Sequence, residues 1–214
     1  MLAPSATEIE EKNLAKFLFT HPLFSDVVLK NLGFKVGCQI YLEIPTVSLF
    51  ASEVRPGDID ILIRHGTPAQ EITAIEFKRV KIPSRAFLTE TPTKIQDLKR
   101  GVHQANALYD LGFARVLLLI AIVTDGREQT HVNSFYRGPT TAHLHKIRNF
   151  PGRENLYSEI GLGFVELLQP DDKPIEDMLG LTSYLQHDPV LREPAQGIDE
   201  SVQKYIESTR SKAV

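Results

Sequence analysis

Four charged residues sit inside two otherwise apolar segments, and their spacing defines a chemistry. Asp58 and Asp60 fall in Pro56-Gly57-Asp58-Ile59-Asp60-Ile61, and Glu76 and Lys78 in Ala74-Ile75-Glu76-Phe77-Lys78-Arg79. In a strand alternate side chains share a face, so Asp58 sides with Asp60 and Glu76 with Lys78. If the two segments form a hairpin centred near Pro68, position 60 falls opposite position 76. The carboxylates then become cross-strand neighbours, roughly 5 Å apart at Cβ. Such a pair repels unless a cation lies between its members. Mg²⁺, a hard ion that prefers oxygen ligands and keeps several waters, is the expected one, with Mn²⁺ as its substitute. The backbone carbonyl of Phe77 would supply a further oxygen. Lys78 would orient or deprotonate the attacking water, or stabilise a phosphorane-like charge. The set suits in-line attack on a phosphodiester.

The elements that must position these residues are legible as patterns. Thr7 to Thr20 has helical spacing of Ile9, Leu14, Phe17 and Leu18, with Thr7 and Glu10 placed as a capping box. Leu23 to Phe34 is ambiguous, with a second short helix as one reading. Val36 to Ile44, Ile59 to Arg64 and Ile72 to Ile82 read as strands. Ile95 to Leu111 returns to helical period and ends at Gly112. Arg115 to Thr124 is a continuous apolar run, as expected for a strand buried on both faces. Beyond it the signal weakens: His143 to Phe150 fits a short helix or strand, and Gly161 to Leu168 another strand. The expected core is α/β, a central mixed four-stranded sheet flanked by helices in the order αβββαβ. It occupies residues 1–170 as one domain, and residues 171–214 form an acidic C-terminal extension with one helix, from Asp199 to Thr209.

This arrangement resembles the PD-(D/E)xK, or restriction-endonuclease-like, nuclease superfamily. The resemblance rests on an acidic residue in the second strand, about fifteen further residues, and then Glu76-Phe77-Lys78 in a hydrophobic strand. It covers roughly Thr7 to Thr124. It implies metal binding by Asp60 and Glu76, water activation by Lys78, and a Mg²⁺-dependent deoxyribonuclease activity. The sequence departs from the family pattern in reading Gly57-Asp58 where a Pro-Asp pair is expected, with Pro56 one place early. Asp60, in Ile59-Asp60-Ile61-Leu62-Ile63, is the favoured acid; Asp58 is the alternative, and parity does not separate them. In some branches a glutamate of the first helix adds a metal contact. Glu8, Glu10 and Glu11 are available for it, and Glu11 is preferred. Branches resembling RecB-type exonucleases carry a Gln followed by Tyr in the helix after the third strand, which brings Gln104 into the catalytic set, although Tyr109 lies one residue too far along.

Composition narrows the alternatives. The chain has 214 residues, 42% hydrophobic and 24% charged, which suits one domain with an appendage or at most two small ones. Val116 to Val123, the longest apolar run, is too short to span a bilayer. The acidic segment Met1 to Lys12 lacks a secretion pattern, and Cys38 is the sole cysteine, which excludes an internal disulfide and a Cys-rich zinc site. A cytoplasmic protein without a membrane contact is expected. The net charge of −3 blends two unlike segments. Lys78, Arg79, Lys81, Arg85, Lys94, Lys99 and Arg100 cluster beside the candidate site, where they would neutralise the phosphates of DNA, with RNA as a further possibility. The stretch from Asp171 to Glu207 is strongly acidic. The loop Pro83 to Thr93 would cover the substrate. A homodimer would bring two sites to two strands, as many such nucleases require. His143 and His145 are expected on a solvated surface, since no third ligand lies near them, and His65 and His103 as ordinary loop or surface residues. The rival function is a non-catalytic nucleic-acid-binding or regulatory module on the same fold.

Overall fold

The computed structural model describes residues 9–35, 37–50, 57–65, 72–129, 134–170 and 174–210. Two helices come first, α1 (Glu11–Thr20) and α2 (Ser25–Asn31), followed by β1 (Gln39–Pro45) and a single turn of helix, α3 (Val47–Phe50). Next are β2 (Asp58–Arg64), β3 (Ile72–Ile82), the short α4 (Ala86–Thr89), α5 (Asp97–Asp110) and β4 (Arg115–Thr124). The chain continues through the small hairpin β5 (Arg127–Gln129) and β6 (Ser134–Tyr136) to α6 (Thr141–Arg153), β7 (Gly161–Leu168), β8 (Gly180–His187) and α7 (Ile198–Arg210).

One mixed sheet organises these elements in the order β1-β2-β3-β4-β7-β8. Pairing is parallel in its centre, β3 to β4 to β7, and antiparallel on both flanks. The alternation of β4 shows how helices cover both faces. Val116, Leu118, Ile120 and Ile122 enter a core with Leu98, Val102 and Ala105 of α5, Ile147 of α6 and Ile198, Val202 and Ile206 of α7. Leu117, Leu119, Ala121 and Val123 enter the opposite core, with Leu14, Leu18 and Phe19 of α1 and Val28 and Leu29 of α2. A strand buried on both faces has no reason to alternate polarity, hence the unbroken apolar run. Gly112 ends the α5 region with φ +97°, and a Cβ there would collide with the Cβ of Ala195, so both backbone hand and space call for glycine.

The α/β class matches the expectation, but the sheet has six strands rather than four. The two added strands are β7, whose pattern was visible, and β8, which was not. β8 is an edge strand with few buried positions, set among acidic and proline-rich segments, so it lacks the hydrophobic signature of the inner strands. Residues after 170 therefore supply a sheet edge and, through α7, part of a core. The first helix begins at Glu11; Thr7 lies outside the described residues, and Glu10 at the N-cap makes no side-chain capping bond. The β2–β3 turn around Pro68 is likewise outside them, although the register on either side pairs Ile61 with Ile75 and Arg64 with Ile72, as a hairpin centred there requires. No helix among the described residues is long and apolar enough to cross a membrane.

Candidate active site

The site begins where β2 leaves β3. Their ladder runs from Arg64↔Ile72 to Ile61↔Ile75 and stops. Beyond Ile75, alternate residues of β3 still aim backbone groups at the vacated edge, and buried N–H groups need acceptors. Each finds a substitute. The Phe77 N–H donates to Asp60 Oδ2 at 2.8 Å. The Arg79 N–H donates to Glu11 Oε2 at 2.9 Å. Lys81 and Thr93 exchange backbone bonds at 2.8 and 3.3 Å. The local break in the sheet thus draws two carboxylates, one from β2 and one from the start of α1, onto the same stretch of β3.

Glu76 and Lys78 project from this stretch on the face covered by α5. Glu76 is fully buried and Lys78 nearly so. The Lys78 ammonium lies 2.6 Å from Glu76 Oε1, 3.0 Å from Glu11 Oε1, 3.0 Å from the Phe77 carbonyl oxygen and 3.8 Å from Asp60 Oδ2. These four oxygen-bearing groups are the ones the sequence nominates for a metal, and here they converge on one nitrogen. Glu76 Oε2 receives no hydrogen bond.

Three carboxylates around one ammonium leave excess negative charge in a largely buried cluster. Burial raises the Glu76 pKa to about 8; the neighbouring Asp60 charge adds to the rise, and Lys78 opposes it. Asp60 is also raised, again chiefly by burial, against the pull of Lys78 and the Phe77 N–H. For Lys78, burial disfavours the charged form, but Glu76, Asp60 and Glu11 outweigh it and hold its pKa above the ordinary lysine value. In this arrangement the three carboxylates favour the charged form of Lys78.

A cleft of about 490 Å³ opens over the cluster, with Glu11, Glu43, Asp58, Asp60 and Lys78 on one side and Gln96, Arg100 and Gln104 of the α5 region on the other. Asp60 reaches the cluster, whereas Asp58 is exposed at the mouth of β2, which separates the two acids that parity could not. Gln104 lines the cleft, its Oε1 buried and without a hydrogen-bond partner. Glu43 is a wall residue that the sequence reading missed. It lies on β1 with φ +52°, and burial together with Asp60 and Asp58 raises its pKa. Its signal was a lone acid inside the apolar Leu42-Glu43-Ile44. A second cleft of about 500 Å³ lies on the other side of Glu11 and carries Arg79, Lys81 and Lys94. Of the remaining basic residues, Lys99 pairs with Glu154, the residue that caps the end of α6, at 3.1 Å, and Arg85 is exposed ahead of α4.

One expectation is corrected, that for His143; His65 keeps its expected loop position after β2 but is buried there. His143 is not on a solvated surface but fully buried, because it serves as residue N3 of α6: its Nδ1 accepts from the Thr140 N–H at 3.3 Å, and the resulting tautomer donates from Nε2 to the Ala86 carbonyl at 3.2 Å. His145 is exposed. His65 is buried too, stacked on Phe34 at 5.5 Å between ring centroids. The His143 bond and a second from Lys146 Nζ to the Glu90 carbonyl at 2.6 Å pin the Pro83–Thr93 segment to α6.

The chemistry of the donor set fits a hard divalent cation: carboxylates from three elements, a backbone carbonyl, and a buried Glu76 oxygen left without a donor. The spacing of those donors is set around Lys78, and among the described residues no group of three or more His, Cys, Asp or Glu side chains stands at metal-binding spacing. No family model, curated protein or solved structure matches the chain.

Proposed function

We propose that this chain is a divalent-cation-dependent nuclease, of the PD-(D/E)xK type, that hydrolyses phosphodiester bonds of DNA. The observation that carries the reading is the convergence of Asp60, Glu76, Glu11 and the Phe77 carbonyl on a single point at the break between β2 and β3. Those four groups would hold Mg²⁺ or Mn²⁺, which supplies Lewis-acid stabilisation of a phosphoryl oxygen and of the attacking water. Lys78, a fixed positive charge, would then stabilise charge developing on the phosphate. Arg100 on one cleft and Lys94 on the next are exposed cations suited to the flanking phosphates. Gln104, with an unused acceptor in the cleft, would orient water or a nucleotide.

The test compares wild type with Glu76→Ala and Lys78→Ala on supercoiled, linear and single-stranded DNA, with Mg²⁺ or Mn²⁺ and with RNA as a competing substrate. Metal-dependent cleavage by wild type, lost in both variants, is expected. Equal cleavage by all three proteins removes the site assignment. A second reading, a binding module without catalysis, is favoured by one observation: Lys78 already occupies the centre of the donor set. It predicts DNA binding without cleavage under every cation. A homodimer is expected only if both strands of a duplex are cut together.

A further inference from the structure

We propose that Gly101 of α5 is the positioning residue that seats the Lys78 ammonium among Glu76, Asp60 and Glu11. The inference goes beyond the nuclease reading, because it concerns how the cation of the chain itself is held. Gly101 is buried inside a 14-residue helix. Glycine there is costly, since it loses more backbone freedom on folding than alanine and packs nothing in return. Its φ is not in the left-handed region, so backbone hand does not call for it. Space does. A Cβ at position 101 would lie 2.5 Å from Lys78 Cγ and 3.2 Å from both Cδ and Cε, and these three atoms of one side chain are its nearest neighbours.

The closest of them, Cγ, sits next to the β3 backbone and cannot swing aside as a side-chain terminus can. An alanine would force the Lys78 stem out of its slot or lift α5 from β3. Either way the ammonium leaves its seat, and the oxygens it holds at 2.6 to 3.8 Å lose their common partner. Glycine therefore opens a channel in the α5–β3 contact, and the lysine stem runs through it to the carboxylates.

A double-mutant cycle of Gly101→Ala and Lys78→Ala tests this, because Lys78→Ala removes all three clashing atoms. With Lys78 in place, Gly101→Ala is expected to lower Tm by about 5 °C or more. In the Lys78→Ala background the same change should raise Tm by about 1–3 °C, since only the helix preference for alanine remains. A shift of the same sign and size in both backgrounds overturns the proposal. Titration with Mn²⁺ provides a readout that a purely structural glycine would not move. Gly101→Ala should tighten Mn²⁺ binding about tenfold when Lys78 is present and by less than about twofold when it is absent. Measurable Mn²⁺ binding of equal affinity in wild type and Gly101→Ala also overturns it. If none of the four proteins binds Mn²⁺, the cation-dependent nuclease reading fails, and the reversal of the Tm shift, or its absence, decides the role of Gly101 without it.

Discussion

The Phe77 N–H donates to Asp60 Oδ2 at 2.8 Å, a bond that occupies the place of the next rung in the β2–β3 ladder. The same carboxylate lies 3.8 Å from the Lys78 ammonium. One side chain thus closes the edge of a central strand and contributes to the charge cluster, so stability and chemistry are coupled at Asp60.

Asp60→Ala is therefore expected to do two kinds of damage. A buried N–H loses its acceptor, at a cost of about 1–3 kcal/mol in urea unfolding. Any DNA cleavage should fall by a factor on the order of 10³. Asp58→Ala, on an exposed position at the strand mouth, should stay within about 0.5 kcal/mol of wild type. Two variants with matching losses would mean that Asp58 shares the role assigned to Asp60.

Glu76 makes stability depend on pH in a direction opposite to most carboxylates. Its folded-state pKa is raised from 4.5 to about 8, so the folded protein binds a proton there that the unfolded chain has already released. The protection is full below the unfolded value and is lost as pH climbs through the folded one. Without divalent cations, Tm should fall from pH 5 to pH 8, and the upward shift of Asp60 acts in the same sense at the acidic end. Glu76→Gln, permanently neutral, should flatten that fall. An unchanged slope in Glu76→Gln would remove Glu76 as its source.

Glu11 contributes through two oxygens with different partners, Oε2 to the Arg79 N–H and Oε1 to Lys78. Glu11→Gln keeps an acceptor for the backbone and removes only the charge. Since Glu11 is partly exposed, the stability cost should stay below about 1 kcal/mol. Mn²⁺ affinity should fall about tenfold, because one anionic donor is gone. Glu11→Ala should add a thermal penalty of its own from the orphaned N–H. Isothermal titration and thermal melts of both variants separate the two effects, and equal Tm losses would deny the Arg79 bond any weight.

What sequence made visible here was governed by period, and what it hid was governed by contact. The parity of Ile59-Asp60-Ile61 and Ile75-Glu76-Phe77 is enough to set which side chains share a face, and with the turn placed near Pro68 the ladder runs as such a hairpin demands. Polarity along the chain does not encode where that ladder stops, yet the stop is what recruits Asp60 and Glu11 to backbone N–H groups. Nor does it show Lys78 as the centre of the cluster, since that depends on a groove across α5 where Gly101 lies. His143 reads as one of two surface imidazoles until the Thr140 cap turns it inward. β8 escaped because an edge strand need not be apolar, and α7 was visible as a helix while its burial was not.

That burial leads to a prediction about the C-terminal segment. Ile198, Val202 and Ile206 are each no more than 3% exposed and share a core with Val102 of α5 and Leu118 of β4. Ahead of them Arg192 acts as a strap: its guanidinium lies 3.6 Å above the Tyr109 ring, its Nε donates to the Phe113 carbonyl at 3.0 Å, and its Nη2 donates to the Tyr109 carbonyl. An acidic appendage would be dispensable, whereas a segment that closes a core is not. Ile206→Ala should cost about 2–5 kcal/mol through lost burial and the cavity left behind. For a chain of this length that corresponds to a fall in Tm of roughly 4–20 °C. Ending the chain after residue 170 would strip β7 of its antiparallel partner β8 and uncover the α5 side of the core. The truncated chain should bind a hydrophobic dye and lose cooperative unfolding. A truncated chain that melts cooperatively near the wild-type temperature would show that residues 1–170 fold on their own and that α7 is an attachment to a finished core.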